Sequence, residues 1–308
     1  MVDYYGLEQR LRERGETKSA LGRKLGISSR TIAKIAKGEK LSGRVLQRIS
    51  AYLHCNPEDL CEEKSDNPLL LRLREEKAAG ISGGIYEELQ MRMTWNSSHM
   101  EGNRLSEEQT RQIFETGMIS GDGILVDDVL QTVHHFRAID ACIDAAEEPL
   151  SEEFIRHLHF VLLHDTKASM RPWLAAGDYK KLPNTVGGRE TTTPQEVAGA
   201  VRDLLADYRS KDRITIEDIV AFHAGFEQIH PFQDGNGRVG RLLALKECLK
   251  QDIVPFLVEE RRADAYYQGL SLWDTDREPL TTSCREGQDT VRALMQYFEI
   301  PSDRSCVF

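Results

Sequence analysis

The sequence predicts an all-α fold in two domains: a small helical bundle over residues 1–62 and a larger helical domain over 69–300. A linker at 63–68 joins them, and a short polar tail, expected to fray, follows at 301–308. Three observations carry this expectation. Apolar residues recur at spacings of three and four through most of the chain, the period of an amphipathic helix. A Gly187-Gly188 turn marks the one interruption, a small β-hairpin. Charge is also split along the chain: residues 1–50 hold twelve Lys and Arg against five Asp and Glu, a net of +7. The remainder holds 28 against 45, a net of −17. A basic end on an acidic body points to a nucleic-acid-facing module joined to something else.

The N-terminal elements follow from short-range signals. Thr17 is placed to cap a helix through Leu25, Gly26 to make a turn, and Ser28 to cap a second helix through about Lys37. Leu21, Leu25, Ile27, Ile32 and Ile35 supply a small core; Gly38 ends the second helix, and Val45, Ile49 and Leu53 continue on a third. Asn56-Pro57 reads as another helix start, and Glu62-Glu63-Lys64-Ser65-Asp66-Asn67-Pro68 as the linker. Beyond it, Ile85, Leu89, Met93 and Trp95 suggest a helix near 82–102 that stops at Gly102, with Ser97 and Glu101 one turn apart on one face. Ser106 and Ser151 each open a further helix, with glutamates in the first turn. Ile216, Ile219, Phe222, Phe226 and Ile229 form the apolar stripe of a helix that delivers His230 at its end.

The run His230-Pro231-Phe232-Gln233-Asp234-Gly235-Asn236-Gly237-Arg238-Val239-Gly240-Arg241 concentrates the chemistry. It holds a candidate general base, a carboxylate suited to a hard cation, a glycine-flanked turn and two guanidinium groups. Gly235 and Gly237 are expected to take positive φ, so that successive N–H groups converge into an anion nest. Val239, Leu242, Leu243 and Leu245 restart helical periodicity directly after the nest, so a helix over roughly 237–250 aims its N-terminal dipole at the same place. Arg238 and Arg241, three residues apart, lie near each other in its first turn. Phe232 is expected to point inward and pin the loop. Together these are the parts for handling a nucleoside triphosphate.

The run resembles, position for position, the signature of Fic-domain proteins, HxFx(D/E)GNGRxxR. The resemblance covers roughly residues 70–300 and implies transfer of AMP from ATP to a hydroxyl of a target protein. It implies that His230 deprotonates an incoming Ser, Thr or Tyr hydroxyl, a task suited to an imidazole titrating near neutrality. Asp234 would hold a Mg²⁺ bridging the α- and β-phosphates. The nest of Gly235, Asn236 and Gly237 would take the diphosphate, Arg238 would support it, and Arg241 would grip the γ-phosphate. Ser97-Ser98-His99-Met100-Glu101-Gly102 resembles the inhibitory motif (S/T)xxxE(G/N) of the same family. There the glutamate pairs with the second arginine of the signature, here Arg241, in place of the γ-phosphate, so Ser97, Glu101 and Gly102 form an intramolecular brake. The stretch from Gly177 to Pro194 resembles the Fic flap, whose edge (here Thr185, Val186, Gly187 and Gly188) docks a target segment by strand pairing. Family flaps often carry an arginine after the tyrosine, where this chain has Lys180, and that leaves target preference unread.

Residues 1–62 resemble the Cro/C1-type helix-turn-helix family, with Ser29, Arg30, Thr31 and Lys34 on the exposed face of the recognition helix, toward duplex DNA. A protein-docking module, or a relic that binds nothing, is the other reading of this bundle. For the whole chain, a deAMPylase using the same site, with Glu101 orienting a water, stands beside the transferase. So does an ATP-sensing transcriptional regulator without transferase activity. Monomer and homodimer both stay open. The 308 residues suffice for a substantial core, and 40% hydrophobic with 29% charged residues describe an ordinary soluble chain. With no apolar run of spanning length and no signal-peptide core, a cytoplasmic protein without a membrane partner is expected. Six cysteines (55, 61, 142, 248, 284 and 306) show no CxxC or regular spacing, and are expected as reduced thiols. His134, His135, His157, His159 and His164 are expected to pack or face solvent, leaving Asp234 as the one metal ligand named.

Overall fold

A computed structural model describes residues 2–39, 41–63 and 66–302. Cys306, most of the expected tail and the middle of the expected linker lie outside the described residues. The chain divides into two compact units, Met1–Asp66 and Asn67–Phe308.

The first unit is built from β1 (Val2–Asp3), α1 (Tyr5–Glu13), α2 (Lys18–Leu25), α3 (Ser29–Ala36), α4 (Gly43–Leu53), a 3-10 turn at Pro57–Asp59, and β2 (Glu62–Glu63). Thr17 Oγ1 accepts from Ala20 N at 3.1 Å, and Ser28 Oγ accepts from Thr31 N at 3.1 Å, so both helices start on hydroxyl caps. Gly26 ends α2 in the left-handed region at φ 57°. The core is larger than periodicity from Leu21 onward implies, because α1 contributes Leu7 and Leu11, and Tyr4, Leu41 and Leu60 close it. The antiparallel pairing of β1 with β2 (Val2 opposite Glu63, Asp3 opposite Glu62) adds a second two-stranded sheet beside the expected hairpin. Each strand is two residues long and its partner lies about sixty positions away. No local pattern announces such a pair.

The second unit is helical: α5 (Pro68–Ala79), α6 (Ile85–His99), α7 (Glu107–Thr116), α8 (Val126–Asp144), α9 (Glu152–Leu163), then the hairpin β3 (Thr185–Val186) and β4 (Arg189–Glu190). After it come α10 (Val197–Arg209), α11 (Ile216–Ile229), α12 (Asn236–Gln251), a 3-10 turn at Glu260–Arg262, α13 (Ala263–Leu272) and α14 (Glu278–Tyr297). The centre is α12, which packs against α6, α8, α9 and α11. From Arg238 to Leu249 every one of its residues is buried. A helix enclosed on all sides must satisfy its polar side chains internally. Lys246 Nζ donates to the carbonyls of Ala146 and Glu148 and to Glu247 Oε1, and Tyr208 Oη donates to Glu247 Oε2 at 3.0 Å. Cys142, Cys248 and Cys284 lie in the core as thiols, their pKa raised by burial. Among the described residues no helix is long and apolar enough to cross a membrane.

Candidate active site

The loop between α11 and α12 is braced before any ligand is considered. His230 forms the C-cap of α11 with φ 49° and ψ 62°, a left-handed conformation for a non-glycine residue, and its N–H donates to Phe226 O at 2.9 Å. Asn236 spans the loop: its Oδ1 accepts from Phe232 N at 2.8 Å and its Nδ2 donates to Phe232 O at 2.9 Å. The buried Asn236 side chain is therefore engaged in holding the loop, and only its backbone is available to an anion. Phe232 is fully buried and stacks on His159 with ring centroids 3.8 Å apart. The His159 tautomer follows from its partners. Gly177 N–H must donate to Nδ1, so Nε2 carries the proton and donates to the carbonyl of Asp234. Burial pushes this imidazole down to about 3, consistent with a neutral ring.

The expected pair of positive-φ glycines is half corrected. Gly235 has φ 78° as the N-cap of α12, whereas Gly237 is already helical. Gly237 is needed for a different reason. A Cβ there would overlap Glu101 Oε1 outright and come to 3.0 Å from Arg241 Nη1. The missing side chain makes room for a carboxylate against the first turn of α12.

That carboxylate joins Ser97 in holding Arg241, whose Nη1 is left without a hydrogen-bond partner among the described residues. Arg241 Nε donates to Ser97 Oγ at 2.9 Å, and Nη2 donates to Ser97 O at 3.1 Å and to Glu101 Oε1 at 2.7 Å. The guanidinium is 5% exposed and the carboxylate 24%. Burial alone raises the Glu101 pKa, but the guanidiniums of Arg241 and Arg238 outweigh it and hold the carboxyl below its ordinary range. Ser97 lies in the last turn of α6 and Glu101 in the turn after it, while Gly102, exposed at φ 91°, carries the chain away.

Arg238 is reached from another side. Its Nη1 donates to Gln131 Oε1 at 2.9 Å, and its Nη2 lies 3.6 Å from Asp234 Oδ1. Gln131 in turn donates to Asp127 Oδ2 at 2.7 Å, and Asp127 Oδ1 accepts from Lys167 N at 2.6 Å. Asp234 Oδ1 also accepts from Gly235 N at 2.6 Å. Behind Arg241 lies a polar cluster that sequence reasoning missed. His223 Nε2 and Tyr266 Oη are 2.6 Å apart, and a Cβ on Gly240 would strike Glu227 Oε1 and reach 3.0 Å from His223. Burial lifts Glu227 to about 8 despite Arg241, so it is a protonated carboxyl at neutral pH.

His230 departs from the expected near-neutral titration. Burial first, and the Lys180 ammonium second, push it down to about 4, so it is an unprotonated imidazole at pH 7. The hairpin beside it pairs Thr185 with Glu190 and Val186 with Arg189, turning through Gly187 at φ 56° and Gly188 at φ 78°. All six residues are exposed. In the first unit, Ser29 and Arg30 are exposed as expected. Thr31 and Lys34 are not freely displayed. The Thr31 hydroxyl bonds Ser28 Oγ at 2.8 Å, and Lys34 Nζ lies 3.8 Å from Glu39. Lys18 and Lys24 likewise pair with Glu8 and Glu16, so part of the +7 is balanced locally.

Residues 149–248 match the Fic/DOC family, and residues 6–66 match the Cro/C1-type HTH DNA-binding domain. The chain is 25% identical over 195 residues to "Protein adenylyltransferase Fic" of Aedes aegypti, covering 60% of this chain and 37% of that protein. It is 26% identical to the protein of the same name from Nematostella vectensis, covering 58% of this chain and 42% of the other. The chain thus spans less than half the length of these relatives. Its fold is that of a Fic domain containing signaling protein from Bacteroides thetaiotaomicron (TM-score 0.60, 22% identity, covering 77% of this chain and 99% of that one). Fic-1 from C. elegans is also similar (TM-score 0.58, 19% identity, 94% and 86% covered). The chain therefore carries a Fic domain and, ahead of it, a Cro/C1-type helix-turn-helix domain.

Proposed function

We propose that this chain transfers AMP from ATP to a hydroxyl side chain of a target protein or of itself, and that Glu101 restrains the reaction. The observation that carries the reading is the Glu101–Arg241–Ser97 contact on the first turns of α12, across a loop that also bears His230 and Asp234. While Glu101 holds Arg241 Nη2, that donor is not available to a terminal phosphate, and the carboxylate repels one. In the released state His230 takes the proton of a Ser, Thr or Tyr hydroxyl. The oxygen attacks the α-phosphorus, the bond to the β-phosphate breaks, and pyrophosphate leaves. An imidazole unprotonated at pH 7 supports that role. The backbone N–H groups at Gly235, Asn236 and Gly237 and the buried Arg238 receive the diphosphate, so most of the rate comes from positioning and charge neutralisation.

Among the described residues no cluster of three or more His, Cys, Asp or Glu could cage a metal ion. Asp234 fits Mg²⁺ all the same, since this ion is commonly held by one or two carboxylates together with substrate phosphates and water. When bound there it would neutralise phosphate charge. The exposed edge of Thr185, Val186, Gly187 and Gly188 would align the target segment. Duplex DNA is the partner proposed for residues 1–62, through Ser29 and Arg30 foremost, and the cytoplasm is the compartment proposed.

The test incubates the Glu101→Gly variant with Mg²⁺ and ATP labelled at the α- or the γ-phosphate, alongside a Glu101→Gly/His230→Ala control. Protein label from the α-position only, lost with His230, is the expected result. Label from the γ-position would replace AMP transfer with phosphoryl transfer. No label from either, in the purified protein and in a cell lysate that supplies target proteins, would end the transferase reading in favour of AMP removal or nucleotide sensing.

A further inference from the structure

We propose that Lys180 is a positioning residue of this site, tying the mouth of the β3–β4 hairpin to Ile229 and Pro231, the two residues that flank His230. Its main-chain N–H donates to Pro231 O at 2.9 Å. Its ammonium donates to Asn184 Oδ1 at 2.8 Å, Thr191 Oγ1 at 2.6 Å and Ile229 O at 3.4 Å. Asn184 immediately precedes β3 and Thr191 immediately follows β4, so one Nζ joins both legs of the hairpin and anchors them one residue before His230. Two further bonds run in parallel: Leu182 N to Gln233 Oε1 at 3.2 Å, and Asn184 Nδ2 to Phe232 O at 3.2 Å.

The chemistry of the contact argues against a merely structural lysine. The residue is 3% exposed, its three donors meet three uncharged acceptors, and among the described residues it forms no salt bridge to a carboxylate. A buried ammonium without a counter-ion is costly, and burial lowers its pKa to about 8. A glutamine or an apolar side chain would avoid that cost. What they would not supply is positive charge. Burial is the first influence holding the His230 ring neutral; the Lys180 ammonium adds to it, against the backbone bond at Glu227 and the carboxylates of Glu101 and Asp234, which favour the imidazolium. The lysine thereby acts on two properties of one site: where the hairpin edge lies and the midpoint at which the imidazole titrates.

This inference rests on the transferase reading for the role of His230, but its test needs no nucleotide. Histidine ring signals of the full chain would be followed against pH by NMR, and amide exchange measured over residues 182–191, in wild type and in Lys180→Met, Lys180→Gln and Lys180→Arg. The expected result is a His230 midpoint roughly one pH unit higher in Met and Gln but close to wild type in Arg. Hairpin amides should exchange about tenfold faster in Met, with Arg again restoring protection. Should Met fail to fold, Gln carries the same comparison with a polar group retained. An unchanged midpoint in the neutral variants, or an Arg variant displaced as far as they are, would overturn the proposal. An inactive wild type would sink the transferase reading and leave these readouts untouched.

Discussion

Replacing Glu101 with glycine should change how the site ranks ATP against ADP. In the structure the Glu101 carboxylate accepts from Arg241 Nη2 at 2.7 Å, on a guanidinium that is 5% exposed. A hydrogen bond to a charged group contributes about 1.5–3 kcal/mol. The larger loss of about 3–5 kcal/mol known for fully buried pairs is discounted here, because the carboxylate keeps 24% of its surface in solvent. While Glu101 holds Arg241, a third phosphate gains nothing there, and ATP and ADP should bind alike. Once the carboxylate is gone, the γ-phosphate inherits the contact, and about 1.5–3 kcal/mol becomes a roughly 10- to 150-fold preference for ATP. The assay is calorimetric titration of both nucleotides with Mg²⁺ into two proteins that share His230→Ala, to prevent turnover, and differ only at Glu101. Equal ATP-to-ADP ratios in the two proteins would refute the idea that Glu101 and the γ-phosphate compete for Arg241.

Three further outcomes follow from the geometry. His230→Ala and His230→Gly should both abolish transfer, but glycine should be the more stable by about 1 kcal/mol, because φ 49° is unfavourable for a residue bearing Cβ. Equal melting temperatures would remove the strain argument. Gly240→Ala should lower the urea midpoint by an amount equivalent to about 1–3 kcal/mol, since its methyl group would meet Glu227 and His223. An unchanged midpoint would show that those side chains lie elsewhere. Arg30→Ala in the full chain should weaken duplex binding and reduce the slope of log affinity against log salt by about one. A slope equal to that of wild type would take Arg30 off the phosphates.

Much of the site was legible because its signals are local. The caps at Thr17, Ser28, Ser106 and Ser151 act over three residues, and each accepts the bond its position implies. The spacing of Ser97 and Glu101, and of Arg238 and Arg241, already placed each pair within one helical turn. What sequence could not supply is the set of polar contacts made across the fold. Gln131 meets Arg238 from 107 positions away, His159 reaches the Asp234 carbonyl across 75, and His223 meets Tyr266 across 43. A buried polar residue reads like a surface one until its partner is known, which is why Lys246 and Glu247 gave no sign of lying in the core. Gly237 was misjudged for a related reason. A glycine suggests positive φ, whereas here it makes space for a carboxylate 136 positions earlier in the chain.

The contrast between α12 and the turn after α6 has a mechanical consequence. Arg238 and Arg241 share a rod buried on every side, so neither can shift far without disturbing the core. Glu101 sits instead beyond the last turn of α6, where short backbone bonds (Glu101 N to Ser98 O, Gly102 N to His99 O and Asn103 N to Ser98 O) set its place. Unwinding those few residues would withdraw the anion while the cations stay registered to the loop between α11 and α12. Under the proposed restraint by Glu101, release needs only a local fraying of one helix end, with no rearrangement of the domain behind it.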